Sequence, residues 1–222
     1  MKNPLRYQMT EYDCGPTSML NAVSYLFQRE EIPPEIVRSI MLYCLDCFGS
    51  DGASGKCGTS CMAMMFLSNW LNGFGEIRNL PVSSQYLSGK SVYLGSESLI
   101  NDALHRGGAV VVRLYLDEPH YVLLTGEHDG VVEMFDPYYR AEPFNEQDIL
   151  LVTDRETSCN RLVPEQYFNQ EGETIYALGP FEGREAVILF NGRTKLEPEK
   201  TIEYFISVSY THLRAHETSQ DL

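Results

Sequence analysis

The sequence predicts an α+β fold in which N-terminal helices pack on an antiparallel sheet. Apolar residues recur at helical spacing only as far as about residue 105, and runs rich in Val, Leu, Tyr and Phe take over from Ala109. Helices first and strands afterwards, with no internal repeat or low-complexity tract, is the α+β pattern.

The elements follow in order. Residues 15–29 open with Gly15-Pro16-Thr17-Ser18 and then place Leu20, Val23, Tyr25, Leu26 and Phe27 at near-helical spacing. Pro16 suits a first turn, where its missing N–H has no partner to lose. Pro33-Pro34 starts a second helix carrying Ile36, Val37, Ile40, Met41, Cys44 and Leu45 on one stripe. Phe48 to Gly58 is rich in Gly and Ser and reads as a loop. Gly58-Thr59-Ser60 caps a third helix through Met62, Met65, Phe66 and Trp70, stopping near Gly73 and Gly75. A fourth runs from Ser96 to His105 and ends at Gly107-Gly108. Strands are expected at Ala109–Leu116, His120–Thr125, Val131–Phe135, Thr174–Leu178 and Ala186–Phe190, with His128-Asp129-Gly130 as a hairpin turn.

With 222 residues and no obvious linker, one domain is the better prior. The expected division is a core over 1–150, an extension of the same domain over 151–206, and a tail over 207–222. The tail, Val208-Ser209-Tyr210-Thr211-His212-Leu213-Arg214-Ala215-His216, reads like a translated sequencing adapter, so His212 and His216 are set aside.

A net charge of -14 argues against a nucleic-acid partner, because phosphates must be met by clustered Lys and Arg. No apolar run approaches the ~20 residues of a membrane span, and the first residues lack the apolar stretch of a secretory signal. A cytoplasmic protein is expected. Its six cysteines, Cys14, Cys44, Cys47, Cys57, Cys61 and Cys159, then serve as core filler, metal ligand or nucleophile rather than disulfides.

Cys14 has the placement a nucleophile needs. It stands just before the first turn of a helix, where exposed N–H groups and the positive end of the dipole favour a thiolate. Gly15 lets a substrate carbonyl approach the backbone, and Gln8 is placed to donate an N–H to an oxyanion. Of the remaining histidines, His105 lies at a helix end and His128 in a turn. His120 follows Asp117-Glu118-Pro119 and opens a strand, the more rigid seat for a base. If residues 128–130 form a three-residue loop, positions summing to 258 pair across the hairpin. Val122 then faces Asp136, and His120 is its diagonal neighbour on the same face, about 7–8 Å away between backbones. Asp136 is thereby placed to orient His120.

Gln8, Asp13-Cys14-Gly15, His120-Tyr121-Val122 and Asp136-Pro137 stand in an order that resembles family 39 of the cysteine peptidases, the bacteriocin-processing enzymes that cut after double-glycine leaders. The likeness covers about residues 5–150. It implies a papain-like fold, a Cys14 nucleophile, a His120 base, an orienting Asp136, an oxyanion-hole Gln8, a peptide or protein substrate and no cofactor. Most such domains precede a membrane exporter; a stand-alone domain is expected here. The same residues also serve a thiol acyltransferase or an inactive, peptidase-like binding module. Cys44-x2-Cys47 and Cys57-x3-Cys61 raise a structural zinc as a rival use of those four thiols, although Cys44 and Cys61 also fall on apolar stripes.

Overall fold

A computed structural model describes residues 2–48, 52–53, 57–78 and 80–192. The adapter-like tail and most of the Phe48–Gly58 loop lie outside the described residues.

Helix α1 (Cys14–Leu26) begins where the sequence places it, with Pro16 in its first turn. It stops at Phe27, where the backbone becomes extended. Pro34 opens α2 (Pro34–Cys44), which buries Ile36, Ile40 and Cys44 at i, i+4 and i+8. Helix α3 (Cys61–Arg78) runs through Gly73 and Gly75, the expected stop, because strand β1 (Val82–Ser88) packs closely along it. The Asn72 side chain bonds both polar backbone groups of Ser84. Helix α4 (Leu99–His105) starts three residues later than expected, at the Ser98 hydroxyl, which accepts from the Asn101 N–H.

The remaining strands are β2 (Ala109–Leu116), β3 (Glu118–His128), β4 (Val131–Phe135), β5 (Leu150–Leu151), β6 (Arg161–Pro164) and β7 (Glu185–Asn191). Every pairing among these described strands is antiparallel, and the order is β1-β7-β2-β3-β4-β6-β5. The α+β expectation holds. The expected strand at Thr174–Leu178 is instead a turn, reversed at Tyr176, whose φ is 58°.

The central strands are covered on both faces, which is why β2 and β7 read as near-continuous apolar runs. Val111, Tyr121, Leu123, Phe135, Val187 and Leu189 face the core beneath α1, α2 and α3. Val110, Val112, Leu114, Val122, Leu124 and Met134 alternate into a second core under α4 and the 144–178 segment. Tyr121 also donates to the buried Glu185 of β7, tying β3 across β2 at 2.7 Å.

The β3–β4 hairpin departs from expectation in a way that bears on function. His128 pairs with Val131, so the turn is the two residues Asp129-Gly130, both at positive φ (52° and 77°). That is the type I′ turn matched to strand twist. Such a turn alone makes pairs sum to 259. A bulge between Leu124 and Gly126 removes one step, and Leu123 then faces Phe135. Continued by one residue, the register places Asp136 opposite Val122. The expected alignment is reached, by a shorter turn and a bulge rather than by a three-residue loop.

Candidate active site

Gln8, Cys14, His120 and Asp136 line one cleft of about 650 Å³. More than a hundred residues separate Cys14 from His120 in the sequence; the fold brings all four together.

The chain before α1 is shaped by Asp13. Its carboxylate turns back to accept the N–H groups of Met9 (3.2 Å) and Thr10 (2.9 Å) and the Thr10 hydroxyl (3.1 Å). This closed loop runs from Gln8 to Cys14, and both line the cleft. The Gln8 N–H bonds the Pro137 carbonyl at 2.9 Å, so the oxyanion-hole candidate is stitched to the segment that follows Asp136. The Gln8 side-chain Nε2 gives one hydrogen to the Thr10 carbonyl and keeps its second.

At the mouth of α1, Pro16 has no N–H, leaving those of Cys14 and Gly15 as the first donors. Gly15 is required by contact: a Cβ there would overlap the Thr59 hydroxyl, whose oxygen is buried without a partner among the described residues. Cys57, Gly58 and Thr59 therefore form a wall of the cleft beside the thiol.

His120 and Asp136 share the parity of Val122 and Met134 and reach the cleft from the sheet. Nε2 of His120 lies 2.7 Å from Oδ1 of Asp136. With that nitrogen committed, Nδ1 is the one left for Cys14, which lines the same cleft and whose thiol favours the charged ring. Burial by itself would lower the His120 pKa. The hydrogen bonds to Asp136 and Cys14, with their charges, outweigh it and push the ring up to about 10. An imidazolium at neutral pH is the partner a thiolate needs.

Asp136 is wholly buried and fully satisfied. Its Oδ1 also accepts the Tyr138 N–H at 2.8 Å, and its Oδ2 accepts the Tyr176 hydroxyl at 3.0 Å. Its backbone is clamped by Asn160, whose Oδ1 accepts the Asp136 N–H and whose Nδ2 donates to the Asp136 carbonyl, both at 2.8 Å. Asn160 and Tyr176 were not legible in the sequence. Neither belongs to a motif, and Tyr176 lies in a run that reads as an ordinary strand.

The other thiols take separate roles. Cys44 is completely buried, and burial pushes its thiol far up, as core filler requires. Cys57 and Cys61 are exposed, and Cys47 is half-buried with its thiol raised by burial and then by Asp46. Among the described residues no group of three or more His, Cys, Asp and Glu is arranged to hold a metal ion. No described helix is long and apolar enough to cross a membrane.

No protein-family model and no curated protein sequence matches this chain. Among solved structures it is similar to the crystal structure of the peptidase domain of Streptococcus mutans ComA, with a TM-score of 0.37 and 11% identity over 84% of this chain and 98% of that one. At that level the likeness carries no residue correspondence, and the site stands on its own geometry.

Proposed function

We propose that this chain is a cysteine peptidase of papain-like arrangement acting on a peptide or protein. The observation that carries the reading is the His120–Asp136 hydrogen bond in one cleft with the Cys14 thiol, which Gln8 also lines.

The Cys14 thiolate attacks the substrate carbonyl carbon, and the carbonyl electrons move onto oxygen. In this reading the oxyanion is met by the second N–H of Gln8 Nε2 and the backbone N–H of Cys14. His120 gives its Nδ1 proton to the departing amine as the C–N bond breaks, leaving a thioester on Cys14. Water then attacks the thioester, His120 takes its proton, and the acid and the thiolate separate. Asp136 keeps Nε2 protonated throughout, so that Nδ1 alone shuttles the proton.

The test is the rate at which iodoacetamide alkylates Cys14 at neutral pH, followed by peptide mapping because the exposed Cys57 and Cys61 alkylate as well. Cys14 should react on the order of tenfold or more faster than a free thiol. Cys14→Ala should remove this labelling and all cleavage of a peptide library. A wild-type Cys14 no faster than free cysteine sinks the reading. Adding a primary amine separates hydrolysis from acyl transfer by the product formed.

A further inference from the structure

The turn at residues 174–179 does something its strand-like sequence does not suggest. Tyr176 donates its N–H to the Tyr115 carbonyl at 2.7 Å, and Tyr115 returns a bond to the Ala177 carbonyl at 2.9 Å, so the turn is locked to the end of β2. Between these bonds the backbone adopts φ 58°, a left-handed conformation that strains a bulky side chain. The result is a fully buried ring, packed edge-on against Phe144 at 5.7 Å, whose hydroxyl reaches Oδ2 of Asp136. The Arg161 guanidinium acts on the same hydroxyl from β6. Arg161 is itself buried, donates to the Asn160 and Tyr138 carbonyls, and leaves its Nε without a partner among the described residues.

We infer that Tyr176 is a positioning residue: with Arg161 behind it, its hydroxyl holds the Asp136 carboxylate in register so that His120 stays the protonated partner of Cys14. This rests on the peptidase reading of the site and adds the C-terminal part of the sheet to its machinery. Oδ1 of Asp136 serves His120 and the Tyr138 N–H, so the tyrosine is the donor found on Oδ2. The charged groups lining the cleft around this pair are Cys14 from α1, Arg161 from β6, Arg113 of β2, which is bonded to Glu185, and Arg140, which is bonded to the Glu142 and Pro143 carbonyls, with Glu11, Asp117 and Glu118. None of the last three offers a donor to a carboxylate at neutral pH. Burial, and then the charge of Asp136, keep the Tyr176 hydroxyl protonated across the working range. Without it, Oδ2 loses its donor, the carboxylate is held less firmly against the ring, and His120 keeps its proton less tightly as the partner of Cys14.

The experiment is the pH profile of Cys14 alkylation, site-resolved by peptide mapping, for wild type and Tyr176→Phe. Phe keeps the ring against Phe144 and removes one hydroxyl, and a thermal melt checks that the variant folds. The acid limb should move up by about one pH unit, a roughly tenfold slower reaction at fixed pH on that limb. A limb that stays put or moves down overturns the inference. Should Tyr176→Phe fail to fold, Arg161→Gln is read by the same rule, since it leaves the hydroxyl but takes away the cation behind it. A wild-type Cys14 that follows a free-thiol profile overturns the peptidase reading instead, and with it the premise.

Discussion

The two sides of the cleft are built by opposite means. The nucleophile side is local: Gln8 to Cys14 is one short loop closed by its own Asp13. The base side is assembled from afar. His120 is held by a carboxylate 16 residues on, whose backbone is clamped 24 residues further and whose second oxygen is served 40 residues further. A short-range device needs little more than the right residues in the right order. A long-range one needs a sheet in correct register, and here that sheet includes β6 and β7, which follow the β3–β4 hairpin in the chain.

The sharpest way to break this contrast is to remove the charge from the base side alone. Asp136→Asn keeps the volume and leaves the Asn160 bonds, which go to the backbone of residue 136. Peptide cleavage is expected to fall on the order of 10²–10⁴-fold, because an amide no longer fixes the imidazole's tautomer or stabilises its charge. Steady-state kinetics on a cleaved peptide measures this. A variant as fast as wild type would mean that the carboxylate is merely structural.

A smaller change sharpens the local side. Gln8→Ala leaves the Gln8 N–H bond to Pro137, which belongs to the backbone, and removes only the amide. The loss in kcat is expected to be about 10²-fold, the scale for one oxyanion donor. Iodoacetamide forms no oxyanion, so alkylation of Cys14 should be unchanged. If labelling falls in parallel with cleavage, Gln8 is holding the thiol rather than the transition state.

The same division explains what was legible in the sequence. Helix starts at Pro16 and Pro34 are local chemistry, and so is the placement of Cys14. Strand β1 was missed because Val82-Ser-Ser-Gln-Tyr-Leu-Ser is polar, and it becomes a strand only by pairing with β7, about a hundred residues away. β6 was hidden for the same reason: Arg161-Leu-Val-Pro is short, ends in Pro, and pairs with β4 and β5. Thr174–Leu178 erred in the other direction. Its composition suits a strand, but its bonds to Tyr115 and Phe168 close a turn. The pairing of His120 with Asp136 was reached by register arithmetic that assumed the wrong turn. The bulge beside Thr125, whose hydroxyl bonds the carbonyls of Glu133 and Ser158, restored the count. Asn160 and Tyr176 bond to Asp136 from 24 and 40 residues further on, and a single sequence gives no sign of such a long-range partner.

The smallest expected effect concerns stability against pH. His120 titrates near 6.5 in an unfolded chain and is pushed up to about 10 in the fold, first against burial by its bond to Asp136 and then by Cys14. The folded state therefore binds the proton more tightly. The stability this contributes is fully present below about pH 6.5, begins to fall above it, and is lost as pH rises through about 10. Melting temperature should decline across that window by several degrees, on the scale of ~2–4 °C per kcal/mol for a chain of this size. Other groups titrate there too, so the decisive quantity is the difference between wild type and Asp136→Asn. Without the carboxylate the His120 contribution shrinks, and the variant's decline should be shallower. Parallel curves would show that the imidazole is not bound to Asp136 as a charged partner, and the base side of the cleft would then lose the electrostatic tie that distinguishes it from the nucleophile side.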